Sequence, residues 1–115
     1  NNLIIQISFE RKEEPIFVAT TFAGCVGVFT GMRLKSSGPF GLGLNYRYGV
    51  FFSNAYKLLR GYFPASYLIR YLLKNYESTK ITYESLKGSP IAALCYLTYV
   101  TEKKAIVISR KMDMK

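Results

Sequence analysis

Histidine and tryptophan are absent from this chain, acidic residues are scarce, and no apolar run is long. Without histidine there is no imidazole base, which excludes Ser-His-Asp and Cys-His catalysis and removes the commonest metal ligand. The two cysteines, Cys25 and Cys95, form no Cys-x-x-Cys pair, so a structural zinc site of that type is excluded as well. Neither a metal nor a cofactor is expected. Gly38–Gly43 contains G-x-x-G and G-x-G, but a strand follows it rather than a helix opening with Lys-Ser or Lys-Thr, so it is no phosphate cradle. The longest apolar stretches, Gly61–Ile69 and Ile91–Val100, fall well short of the ~20 residues that cross a bilayer as a helix. No Asn-x-Ser/Thr sequon is present, and no charged, apolar, small-residue series marks a signal peptide.

What is present suits one domain. The chain has 115 residues, half of them apolar. It opens on Asn and runs directly into Leu3-Ile4-Ile5, which reads as a piece of a longer protein. Sixteen Lys and Arg against seven Asp and Glu give a net charge of +9. The basic residues are scattered, with small clusters at Lys103-Lys104 and Arg110-Lys111. No zinc-finger, helix-turn-helix or RNP pattern accompanies them, so nucleic acid is not the expected partner. An anionic membrane surface is the partner such a charge balance leaves open.

The apolar period divides the chain. Leu3–Phe9 alternates as a half-buried strand does. Arg11–Glu14 reads as a charged turn closed by Pro15. Ile16–Phe22 and Cys25–Thr30, rich in Val, Phe and Thr, read as strands, as does Phe40–Tyr46, where Gly41 and Gly43 spare one face of side chains. Ala55, Leu58, Leu59 and Tyr62 then recur at helical spacing. Pro64 opens a second helix carrying Ala65, Leu68, Ile69, Leu72, Leu73 and Tyr76 on one face. Thr82 is an N-cap candidate for a short helix through Lys87, stopped by Gly88. Leu94–Val100 and Ala105–Arg110 form a hairpin about Glu102-Lys103. The chain is thus one domain, 1–115, with strands over 3–46, helices over about 54–87 and a hairpin over 94–110; strands, helices, strands is an α+β order. Both cysteines lie in apolar runs and read as buried small hydrophobes; spacing does not say whether they pair.

Three stretches carry a resemblance. They are Phe9-Glu10-Arg11, the run Ile16–Met32 with its Ala19-Thr20-Thr21-Phe22-Ala23-Gly24-Cys25-Val26-Gly27 centre, and Gly41-Leu42-Gly43-Leu44-Asn45-Tyr46-Arg47. They resemble, in order and spacing, the central part of the acid ceramidase and N-acylethanolamine acid amidase family, whose pattern is F-x-R, then V-F-x-A-[ST]-[ST]-F-x-G-Y-V-G-x-x-T-G, then N-E-R or D-E-R. Pro64–Arg70 is similar to the family's P-[VA]-S-[WY]-L-I-R helix, Tyr83-Glu84 and Leu86-Lys87 to its next helix, and Ser89–Ala92, Tyr96-Leu97 and Ile106–Arg110 to its following hairpin. The likeness runs over residues 9–112.

The resemblance implies part of an αββα sandwich of the N-terminal-nucleophile hydrolase type: one helical layer and pieces of two stacked sheets. It implies hydrolysis of an N-acyl amide in a ceramide or N-acylethanolamine by an N-terminal cysteine, whose own α-amine, of pKa about 7.7–8, serves as base. That cysteine lies upstream of the matched run, so no catalytic residue is expected in this chain and it is expected to be inactive alone. Its implied partners are a lipid amide substrate and the remaining segments of the same protein; the implied compartment is lysosomal or secretory. Phe29 and Met32 fall where relatives carry bulky residues near the acyl-chain entrance, with core packing as the competing role. Asn45, Tyr46 and Arg47 occupy the site triplet, a structural ion pair being the competing role for Arg47. Two departures stand out. Tyr46 replaces the family's glutamate, and Tyr99-Val100 replaces a Gly-Gly pair, which is expected to change a turn. The first leaves open a catalytically inactive member that binds lipid or a partner.

Overall fold

The charged turn near the start of the chain sets the register of the first two strands. Lys12 and Glu13 both adopt positive φ, 50° and 64°, the backbone twist that suits a two-residue hairpin loop. The turn joins β1 (Ile4–Arg11) to β2 (Glu14–Phe22) with Arg11 opposite Glu14, and a bulge at Phe9/Glu10 lets Pro15 sit in the ladder. In the computed structural model, which describes residues 3–34, 38–47, 51–76 and 78–111, the remaining elements are β3 (Thr30–Arg33), β4 (Phe40–Tyr46), α1 (Phe51–Leu59), α2 (Ala65–Asn75), α3 (Thr79–Gly88), β5 (Cys95–Thr101) and β6 (Ala105–Arg110).

All six described strands form one antiparallel sheet in chain order, β1 to β6. This corrects the expectation of pieces of two sheets. The physical reason is that each strand finds its sequence neighbour, and β4 meets β5 across the three helices. The α+β character stands: one sheet with helices on one face.

Alternation divides the sheet. Phe17 and Ala19 on β2, Phe40, Leu42 and Leu44 on β4, and Cys95, Leu97 and Tyr99 on β5 are buried beneath the helices. Helix α2 supplies Ala65, Leu68, Ile69, Leu72 and Leu73, all buried, each large one contributing about 1.5–3 kcal/mol on removal from water. Its approach is close at Gly31, where an added Cβ would lie 2.5 Å from Leu73 Cδ1 and 3.1 Å from the Val18 carbonyl oxygen. Arg33, buried beside it, donates to the carbonyls of Leu73 (2.6 Å) and Lys74 (3.0 Å) at the end of α2.

Three local expectations give way. Cys25–Phe29 is not strand. Gly24 at φ 82° turns the chain, and the segment ties to α2 instead: Val28 N–H donates to the Ser66 carbonyl (3.0 Å) and Arg70 to that of Val26 (2.8 Å). Cys25 is therefore exposed, whereas Cys95 is buried, and both are free thiols. Thr82 does not cap α3; it is buried within the helix, with Ser78 at the cap position and the Thr82 hydroxyl donating to the Ser78 carbonyl (2.9 Å). Tyr99-Val100 makes no turn, because both residues extend β5. The helix expected from the spacing before Pro64 is present as α1. Leu58 and Leu59 on α1 are exposed, and the helix ends in a Schellman arrangement at Gly61, φ 82°, with Tyr62 N–H on the Lys57 carbonyl (3.1 Å) and Gly61 N–H on that of Leu58 (3.0 Å).

Candidate functional site

The sheet face away from the helices is open. Alternation brings Gln6 on β1, Val18 and Thr20 on β2, Thr30 and Met32 on β3, Gly41 and Gly43 on β4, and Thr98 and Val100 on β5 to that face, and together they line an apolar groove of about 340 Å³. The groove exists because β4 carries glycine at both its central outward positions. Met32 is opposite Gly41 and Thr30 opposite Gly43 on one side; Val100 and Thr98 are opposite the same glycines on the other. Neighbouring side chains thus wall a strip of bare backbone. Alanine would fit there, since an added Cβ at Gly43 comes no closer than 3.6 Å to Thr98 and at Gly41 no closer than 3.7 Å to a neighbour.

Two residues further along the same face, Asn45 stands opposite Tyr96. The Arg47 guanidinium carbon lies 4.9 Å from the Tyr96 ring centroid, a cation–π contact, and the Arg47 N–H donates to the Leu94 carbonyl at 3.0 Å. Among the described residues Arg47 has no carboxylate partner. The four steps from Gly41 to Asn45 span roughly 14 Å at strand rise.

Tyr46 has the opposite parity. Half-exposed, it meets Phe29 edge-on at 6.1 Å between centroids, and Phe29 in turn meets Phe22 at 5.2 Å. Phe29 packs against the core cluster, while Met32, 48% exposed, belongs to the open groove. The structure brings Met32 into the groove wall, while Asn45 and Arg47 lie beyond the residues that line it; it joins Phe29 and Tyr46 to each other, apart from Met32. Sequence reasoning missed Val18, Thr98 and Val100 as groove walls. The turn at Arg11–Glu14 and the period of two would have found Val18, because they fix which β2 residues face away from the helices.

Burial pushes the Cys95 thiol up, only partly offset by Arg110, which is the reverse of an activated thiolate. Cys25 is exposed and sits in a loop. No cluster of three or more Cys, Asp or Glu could hold a metal among the described residues, and no described helix is long and apolar enough to cross a membrane.

No family model matches the chain. Among curated proteins, acid ceramidase from Bos taurus is 32% identical over 99 residues, which is 82% of this chain and 24% of that protein. Among solved structures, the Caenorhabditis elegans N-acylethanolamine-hydrolyzing acid amidase (NAAA) ortholog superposes with a TM-score of 0.79 at 27% identity, over 96% of this chain and 48% of that one. The chain thus spans about a quarter of the curated relative and about half of the solved one.

Proposed function

The chain belongs to the acid ceramidase and N-acylethanolamine acid amidase family, and from that membership we propose that it is the central part of a lipid amidase cleaving the N-acyl bond of a ceramide or N-acylethanolamine. The nucleophilic cysteine and its amine base come from outside residues 1–115. This part contributes the helix-covered sheet, which is half of an αββα sandwich, and one wall of the acyl site. Its open groove takes the apolar chain, Met32 contacting it directly. Asn45 and Arg47 meet the polar end, and the Phe29–Tyr46 pair braces the strands that carry them. The observation that supports this reading best is the glycine-floored apolar groove, with Asn45 further along the same strand face.

Substrates of this kind reside in membranes, and α1 supports delivery from one. Phe52 (81% exposed) and Leu59 (88%) project with Tyr56 and Leu58. Lys57 lies over the Tyr62 ring at 5.9 Å and Arg60 over the Tyr56 ring at 5.1 Å. Apolar and aromatic side chains rimmed by cations suit the interface of an anionic bilayer. A lysosomal or secretory compartment is part of the same proposal, on the family's account.

The substitution of Tyr46 for glutamate favours a second reading, a catalytically inactive member that holds lipid or a partner. One experiment separates the two. A longer protein containing this chain is incubated with long- and short-chain fluorogenic N-acyl amides at acidic and neutral pH. Hydrolysis that survives Cys25→Ser but is lost on alkylating an upstream N-terminal cysteine supports the enzyme. Activity that appears only in Tyr46→Glu supports the inactive reading. In an active protein, Gly43→Ala keeps the fold and lowers kcat/KM for long chains more than for short ones, because each methylene excluded from the groove forfeits about 0.8 kcal/mol. Equal losses for both would remove the acyl chain from the groove.

A further inference from the structure

A second concavity lies at the other end of the molecule's chemistry, and the family assignment does not account for it. It is a cleft of about 480 Å³ between α3 and the tip of the β5–β6 hairpin, and Lys80, Tyr83, Glu102, Lys103 and Lys104 line it together with Tyr99. We propose that this cleft binds a phosphate group, carried either by a lipid headgroup or by a soluble phosphate ester.

Three observations carry the proposal. The first is charge: three ammonium groups face one carboxylate, and none of the three lysines is ion-paired among the described residues. Lys87, outside the lining, adds a fourth cation at the Tyr83 ring. Its ammonium and that of Lys104 both approach the Tyr83 ring, at 5.2 Å and 5.5 Å from the centroid. Like charges gathered near one ring repel, and a dianion bound in the cleft relieves that repulsion while accepting charge-assisted hydrogen bonds.

The second is a fixed floor. Tyr99 is 1% exposed and donates its hydroxyl to the Thr79 carbonyl at 2.8 Å. Its ring packs between Phe40 (6.2 Å) and Tyr83 (6.0 Å). The start of α3 is thereby pinned to β5, so the cations on α3 and on the hairpin keep a set separation. The third is composition. The first turn of α3 has no acidic residue, and the Ser78 side chain makes no capping hydrogen bond, so no carboxylate or hydroxyl of the helix itself competes for an anion there. The Tyr83 and Tyr99 rings add apolar wall, which suits an esterified phosphate.

The test is a titration of a longer protein containing this chain with inorganic phosphate, read by amide NMR against sodium chloride at matched ionic strength. Saturable shifts confined to residues 79–83 and 101–104 are expected. Lys103→Glu/Lys104→Glu should weaken binding about tenfold. Arg11→Glu/Lys12→Glu, the same charge change at the hairpin beyond the opposite sheet edge, should change it less than about twofold because distant charges are screened. Where the Glu pair perturbs amide dispersion, Lys103→Gln/Lys104→Gln is used instead. Co-sedimentation with phosphatidylcholine vesicles, with and without phosphatidic acid, then assigns the source. Phosphatidic-acid-dependent binding that requires Lys103 and Lys104 and is competed by phosphate indicates a headgroup; phosphate binding without it indicates a soluble ester. Shifts spread over the chain, shifts reproduced by chloride, or equal losses in both double variants would overturn the proposal.

Discussion

Among the described residues, the side chains of Arg33, Arg70 and Arg110 donate to main-chain carbonyls. Arg33 holds the end of α2, Arg70 the loop before β3, and Arg110 the end of α3 through the carbonyls of Leu86 (2.7 Å), Lys87 and Ser89 (2.7 Å). Helix C-termini leave carbonyls without partners, and a guanidinium fork answers several at once. Arg110→Met should therefore lower unfolding stability by about 1.5–3 kcal/mol, the scale of hydrogen bonds to a charged group, measured by urea denaturation. Cys95, beside Arg110, gives a pH dependence. Its thiol is raised by burial, as is the Tyr99 hydroxyl. A raised folded-state value stabilises the fold fully below the unfolded value and loses that contribution as pH climbs through the folded one. Stability should thus hold to about pH 8.5, the unperturbed thiol value, and fall above it; Cys95→Ala should flatten the first part of the fall. At this scale Arg47 was legible, because a motif names it. The roles of Arg33 and Arg110 were not, because an arginine that binds backbone has no sequence partner to mark it.

Between α2 and the sheet, contact is set by a missing side chain. Gly31→Ala should cost about 1–3 kcal/mol as an overpacking change, whereas Gly43→Ala should be neutral or slightly stabilising, since glycine in a strand interior loses about 0.5–1 kcal/mol to chain entropy. Thermal melts of the two variants, run together, check the contrast. The same elements explain what the sequence revealed. α2 announces itself because its apolar face is buried along its whole length and the 3.6 period is unbroken. α1 shows a similar period, yet its leucines face outward; periodicity reports amphipathy and not what covers the apolar side. The segment Cys25–Phe29 has strand composition but yields to Gly24 and to hydrogen bonds from α2, a tertiary override of local preference. Of the candidate site, Gly41 and Gly43 were visible as a bare face. The groove was not, because its walls come from β2, β3 and β5, and only their register brings them beside those glycines.

Taken as one body, the molecule has a covered face and an open one. Met32, Val100 and Val107 are exposed on the open side, and the edge strand β1 exposes Ile4 and Ile5. Contiguous apolar surface and unpaired strand edges favour association, while a net charge of +9 opposes it until salt screens the repulsion. Sedimentation velocity of the isolated chain should show a larger species that grows with protein concentration and with added sodium chloride. A monomer at every concentration and salt level would mean that the open face is self-sufficient in water.

The sheet's order in space repeats its order in the chain, and this shapes how it assembles in time. Four of the five strand pairings join segments linked by short connections, so β1 to β4 can zip as a local meander and β5–β6 as a hairpin. Joining those two pieces means closing the long excursion through α1, α2 and α3, where chain entropy is lost before any contact rewards it. Helix formation shortens that excursion in advance. The rate-limiting event should then be the docking of the hairpin onto β4 over a preformed α2, so substitutions in the β4–β5 ladder slow folding while those in β1 chiefly speed unfolding.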